Sequence, residues 1–132
     1  MTRYAIDADT ALAIIRDGIA VRGEHQLVAP SVLRSHVLSL LYREVHDGRL
    51  DERTGRDLLE RLAELKIRLL GDRVSRSVAW KLAARLDWND TPLAEYLAVA
   101  SLQADALVTA DARLVTAATG IVPIASLDDL RA

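Results

Sequence analysis

Residues 1–18 read MTRYAIDADTALAIIRDG: an apolar run that stops at Asp7, a second carboxylate at Asp9, and then a helical repeat of Leu12, Ile15 and Ile19. The pattern predicts a strand followed at once by a helix, with Asp9 and Thr10 as the cap and Gly18 as the stop. Asp7 lies ahead of that cap. A carboxylate at the end of an apolar strand is costly to bury unless it is hydrogen-bonded, paired or bound to a cation. In parallel α/β sheets ligands sit beyond the carboxyl ends of the strands, so Asp7 is a site candidate if the fold is of that type.

The rest of the chain supports such a fold. Leu27–Ala29 form a short apolar strand ending at Pro30, and a helix opens at Ser31 with Leu33, Val37, Leu40, Leu41 and Val45 on one stripe and Gly48 at its end. LDERTGRDLLERLAELKIRLLGD is a second amphipathic helix with Leu58, Leu59, Leu62 and Leu65 inward, and residues 67–70 read equally as a strand or as the helix end. RVSRSVAWKLAARLDWNDTP predicts a further helix; Pro92 suits the first turn of the next, with Asp90 or Thr91 as its cap. ADALVTAD is a strand ending in Asp111, ARLVTAAT a helix, and GIVPIASLDDL a short strand and turn. Strands alternating with helices imply a parallel sheet covered on both faces. At 132 residues this is one domain, residues 1–132.

Composition narrows the chemistry. The absence of cysteine excludes disulfides, thiolate nucleophiles and Cys-based zinc sites. Seventeen basic against nineteen acidic residues leave a net charge of -2, so no global basic signal marks a nucleic-acid binder. Although 51% of residues are hydrophobic, no run approaches the roughly 18 needed to span a bilayer, and no secretory signal pattern opens the chain. A cytoplasmic protein with no membrane partner is the expectation. Arg34, Arg43 and Arg49 suit either phosphate contacts or a solvated helix face. Trp80 and Trp88 are expected in the core or an interface, given the area an indole buries.

Two strands thus end in aspartates, YAID at Asp7 and LVTAD at Asp111. If the strands are parallel neighbours, both carboxylates emerge at one sheet edge and repel unless a cation lies between them. Hard oxygen donors suit Mg²⁺ or Mn²⁺, which activate water and stabilise charge in phosphodiester hydrolysis. The alternative is that Asp111 caps ARLVTAA and Asp7 makes a structural hydrogen bond.

The order YAIDAD, APSVLRSHVLSLL, AEYLAVA, ADALVTADARL and GIVPIASLDDL resembles the PIN-domain family, especially the VapC-like ribonuclease toxins of bacterial toxin–antitoxin pairs, over nearly the whole chain. The resemblance implies a three-layer α/β/α sandwich with a central parallel sheet, and an acidic pocket holding Mg²⁺ or Mn²⁺ that cleaves RNA. It also implies an antitoxin partner, for which the leucine-rich helices are a candidate surface, as they are for a homodimer. Asp7 matches the family's first acid and Asp111 its last, with Thr109 as the accompanying hydroxyl. The second acid falls on His36 and the third on Leu93, so two of the four are out of place.

Neighbouring residues are candidate substitutes. Glu44 is about 12 Å further along its helix than His36, which is too far. His36 itself suits Mn²⁺ or Zn²⁺ better than Mg²⁺, or else is an ordinary helix histidine. Asp90 lies one turn before Leu93 at about 60° offset, whereas Glu95 is roughly 200° round the helix unless its first turn is irregular. The expected metal ligands are therefore Asp7, Asp111 and Asp90, with Glu95, Asp9 and His36 as further candidates. The competing reading is a degenerate PIN module that binds RNA or a protein without cleaving.

Overall fold

The computed structural model describes residues 1–132. Its five strands are β1 (Thr2–Ile6), β2 (His25–Pro30), β3 (Arg68–Leu70), β4 (Ala106–Val108) and β5 (Ile124–Ala125). Its helices are α1 (Ala8–Asp17), α2 (Leu33–His46), α3 (Glu52–Glu64), α4 (Arg73–Arg85), α5 (Pro92–Gln103) and α6 (Ala112–Ala117). The strands pair in the order β3-β2-β1-β4-β5, all parallel. The sheet lies between helical layers: α1, α2 and α3 pack on one another, and α5 crosses β1, β2 and β4 and packs against α4 and α6. This is the three-layer sandwich expected, and residues 67–70 resolve in favour of a strand.

The topology creates the site. From β1 the chain winds outward through β2 to β3, then returns to place β4 on the other side of β1. Connections therefore leave β1 and β4 in opposite directions, opening a crevice at their carboxyl ends. Ile6 pairs with Val108, so the next residues, Asp7 and Thr109, follow side by side at that edge.

Local chemistry explains most element ends and corrects three expectations. Asp7, not Asp9, is the N-cap of α1: its Oδ1 accepts the Thr10 amide at 2.9 Å, and Asp9 sits in the first turn. The β1–α1 connection is so tight that the strand's last carboxylate is also the helix's cap. The second helix begins at Leu33 instead of Ser31, and no side chain caps it, because Ser31 bonds its amide to the Leu70 carbonyl across to β3. The leucine stripes of α2 and α3 turn inward: Leu33, Val37, Leu41, Leu58 and Leu62 are all buried, so the apolar residues that α2 leaves outside are Leu38 and Tyr42. Gly18 does end α1, in the left-handed conformation (φ 62°) that glycine adopts without penalty.

Helix α5 is buried nearly all round, through Ala94, Tyr96, Leu97, Ala98, Val99 and Ala100. Small residues let it lie close to both the sheet and α4. Another close approach lies between α2 and α3, where a Cβ on the buried Gly55 would stand 2.9 Å from Val45 Cγ2. A β-branched side chain has little room to yield. Gly55→Ala is expected to lose about 1 kcal/mol net, the overpacking penalty exceeding the gain in helix propensity. Combining it with Val45→Ala should relieve the clash, so a double-mutant cycle by urea denaturation that shows simple additivity would contradict this packing account.

Candidate functional site

Asp7 is only 4% exposed, and both of its oxygens are engaged. Oδ1 caps α1, while Oδ2 accepts the Thr109 hydroxyl at 2.5 Å. The Thr109 oxygen in turn accepts the Asp111 amide at 3.0 Å. Thr10, buried in the first turn of α1, donates its hydroxyl to the Val108 carbonyl at 2.9 Å and ties the helix to the end of β4. Asp111 is the N-cap of α6, its Oδ1 accepting the amides of Arg113 and Leu114 at 2.8 and 3.1 Å. Asp7 directly follows β1, whereas β4 stops at Val108, three residues short of the Asp111 where the strand was expected to end; both aspartates serve as caps, and Thr109 bridges them. A threonine three residues after the capping aspartate is the sequence signal that would have marked Thr10.

Negative charge gathers here without a compensating cation. None of the chain's ion pairs includes Asp7, Asp9 or Asp111. Partial burial first, then the charges of Asp7 and Asp111, push the Asp9 carboxyl above its ordinary value of 3.8; His36 is the one group acting the other way. A raised acid is favoured in its protonated form by the fold. Its contribution is therefore present below the ordinary value and is lost as pH rises through the folded value. Asp9→Asn should raise the melting temperature relative to wild type near neutral pH, with the difference vanishing at about pH 3. An equal difference at both pH values would rule out the ionised form of Asp9 as the cause.

His36 and Tyr96 form the other wall. His36 Nδ1 lies 3.0 Å from the Tyr96 hydroxyl, linking α2 to α5. Tyr96 is fully buried, and its phenol is held well above its ordinary range by burial, then by the charges of Asp7, Glu95 and Asp9. Nothing in the local sequence around Tyr96 marks it for the site; the fold makes it the partner of His36.

The remaining candidates are less central. Glu95 is half-buried in the first turn of α5, beside Tyr96 in the chain. Asp90 is exposed in the bend before α5, and its charge is not among those acting on Asp9 or Tyr96. It does not cap α5 either: Thr91 holds the cap position without a side-chain bond, and Pro92 begins the helix. Leu93 packs against the core. Glu44 pairs with Arg16 at 2.5 Å, away from the acidic group. Of the core or interface expected for the two tryptophans, Trp80, 73% exposed on α4, is not in the core, whereas Trp88 is half-buried against it.

No three His, Asp or Glu side chains stand together in an arrangement that would hold a metal ion. Mg²⁺ does not require one, since it keeps several waters and is commonly held by one or two carboxylates plus substrate phosphate. The unneutralised carboxylates of Asp7, Asp9 and Asp111 fit such an ion in donor type and in charge.

No family model matches the sequence, and no curated protein matches it either. Solved structures do match. PAE2754 from Pyrobaculum aerophilum superposes with a TM-score of 0.72 at 20% identity, over 98% of this chain and 86% of that one. VapBC2 from Rickettsia felis, bound to a DNA fragment from its promoter, gives 0.67 at 8% identity, over 94% and 98%. VapBC-1 from nontypeable Haemophilus influenzae gives 0.63 at 11%, over 96% and 98%. No helix of the chain is long and apolar enough to cross a membrane. With its five-stranded parallel sheet, helical layers on both faces and Asp7 beside Thr109 where β1 and β4 diverge, the chain has the PIN-like three-layer fold that the VapBC structures share.

Proposed function

We propose that this chain is a VapC-like, metal-dependent endoribonuclease, the toxin of a toxin–antitoxin pair. The observation that carries this reading is the negative charge at the switch point of the sheet, where buried Asp7 adjoins Asp9 and Asp111 and no ion pair involves any of the three. Asp7 and Asp111 would hold Mg²⁺ or Mn²⁺, with Asp9 as the exposed third carboxylate. The ion supplies charge stabilisation at phosphate and a lowered pKa for bound water. The residues themselves orient the site: Thr109 fixes the Asp7 carboxylate, Thr10 fixes α1 against β4, and the two amides at the start of α6 keep one Asp111 oxygen engaged while the other takes no protein donor.

An antitoxin partner belongs to the same reading. An arginine from it matches paired carboxylates bidentately and would compete with the metal. The exposed Leu38, Tyr42 and Trp80 are the apolar residues that a partner or a second copy would cover. Two substitutions favour a second reading, a PIN module that binds without cleaving: His36 is tied to Tyr96 and Leu93 is apolar where the family carries acids.

The deciding experiment is cleavage of a single-stranded RNA by the purified protein with Mn²⁺, with EDTA, and with Asp111→Asn. Cleavage that EDTA and the substitution both abolish supports the enzyme. Mn²⁺ binding and cleavage both absent at millimolar metal would leave the non-cleaving module.

A further inference from the structure

Beyond Asp111 the surface changes sign. A groove of about 750 Å³ runs between the end of α4 and the outer side of α6, lined by Arg85, Trp88, Arg113, Thr116 and Thr119 among others, with no carboxylate in its lining. The Arg113 guanidinium carbon sits 4.8 Å from the centre of the Trp88 ring. Neither Arg85 nor Arg113 takes part in an ion pair. The groove lies next to the acidic site in the chain, because Ala112 and Arg113 of its lining directly follow Asp111 and the Arg113 amide is one of the two donors to Asp111 Oδ1.

The presentation of Trp88 is built in. At the end of α4 the Asp87 amide bonds to the Ala84 carbonyl at 3.2 Å and the Trp88 amide to the Ala83 carbonyl at 2.9 Å, the paired bonds of a Schellman turn. Asp87 occupies its left-handed position (φ 55°), where glycine is the usual residue. This turn carries the chain sharply off the helix and sets the indole against α6, where Arg113 covers it.

We infer that this groove is a track for single-stranded RNA leading away from the acidic site: a base stacks on the Arg113–Trp88 pair, and Arg85 takes a backbone phosphate. Guanidinium planes and indoles are the surfaces on which unpaired bases stack, and stacking tolerates any base. The Thr116 and Thr119 hydroxyls line the same groove and offer hydrogen bonds to sugar or phosphate. Acidic and basic surfaces then divide the labour, since a strand cannot be held by carboxylates alone. The inference deepens the nuclease reading and rests on it for the direction of the strand, but not for binding.

The chain has two tryptophans, Trp80 and Trp88, so Trp80→Phe leaves Trp88 as the single reporter. In EDTA, titration of that protein with a short oligoadenylate should quench its emission saturably. Anisotropy with a labelled oligoadenylate should show Arg85→Gln and Arg113→Gln each weakening binding about fivefold or more and flattening the logarithmic salt dependence by about 0.7 for each charge removed. Both arginines are exposed, so these variants keep the fold. Binding by wild type with unchanged affinity and salt slope in both variants overturns the groove, as does Trp88 emission that stays constant at saturating RNA. Equal affinity for double-stranded RNA also overturns it. Mn²⁺-dependent cleavage separates the two ideas: RNA cleaved with the groove variants at wild-type level refutes the groove alone, and RNA bound through the groove without cleavage refutes the nuclease alone.

Discussion

Asp7→Asn should lower the melting temperature of the metal-free protein and remove the stabilisation that Mn²⁺ gives to wild type. Two effects of opposite sign meet at this residue. The amide relieves repulsion with Asp9 and Asp111, but Asp9 is exposed and its share of that repulsion is screened by solvent. Against this, a buried carboxylate accepts both the Thr10 amide and the Thr109 hydroxyl. An asparagine offers one oxygen in place of two, so the hydroxyl of Thr109 meets an NH₂ group and loses its acceptor. Hydrogen bonds to charged groups are worth about 1.5–3 kcal/mol, so the loss outweighs the relief. For a chain of this length each kcal/mol corresponds to about 3–5 °C, which thermal denaturation resolves readily.

The metal arm of the same experiment tests the site, not the cap. At a free Mn²⁺ concentration one hundred times its dissociation constant, wild type should gain about 2.7 kcal/mol, and Asp7→Asn almost none. A variant stabilised by Mn²⁺ as much as wild type would remove Asp7 from the metal site while leaving its structural role intact. An unchanged or raised melting temperature without metal would mean that the two hydrogen bonds contribute nothing.

His36→Glu, alone and with Leu93→Asp, is expected to trade stability for cation affinity. The single variant breaks the 3.0 Å contact to Tyr96, removes the one group that opposes the aspartate charges at Asp9, and adds a further carboxylate beside Asp7, Asp9 and Asp111. Like charges at close range are unfavourable in the metal-free state, so its melting temperature should fall. Leu93→Asp removes a side chain packed on the core, one turn before Tyr96 on α5, and should lower it further. With Mn²⁺ the order reverses, because added carboxylates raise hard-cation affinity; titration calorimetry should show a gain of at least about tenfold, or about 1.4 kcal/mol. An affinity equal to that of wild type would mean that positions 36 and 93 do not face the acidic group at all. Should wild type cleave no RNA while the double variant does, the missing acids are what separates this chain from an active enzyme.

Strand and helix types were legible because their signals are local. Apolar runs and helical stripes, Gly18 and Gly48 as stops and Pro92 at a helix start depend on neighbours a few residues away, and each is where it was expected. That Asp7 and Asp111 would meet at one edge was legible only on the condition that their strands are neighbours, which the order β1-β4 in the sheet meets. The role of Asp7 was not. Whether it precedes the cap or is the cap depends on how tightly β1 runs into α1, and the tie from Thr10 to Val108, 98 residues away in sequence, holds that turn in place. The leucine stripes likewise say that a face is apolar, not what covers it: α1, α2 and α3 cover one another, and Trp80 is left outside.

By itself the sequence determined most of the elements, the parallel sheet and the two aspartates that follow its strands, because chain-local periodicity and capping chemistry carry that information; the strand at Arg68–Leu70 and the adjacency of β1 and β4 came from the fold. Only the tertiary structure decided that Thr109 bridges those aspartates, that His36 is held by Tyr96, and that Arg113 lies over Trp88. Each of these joins residues on separate elements, brought together where β1 and β4 lie side by side and the crossovers on either side diverge.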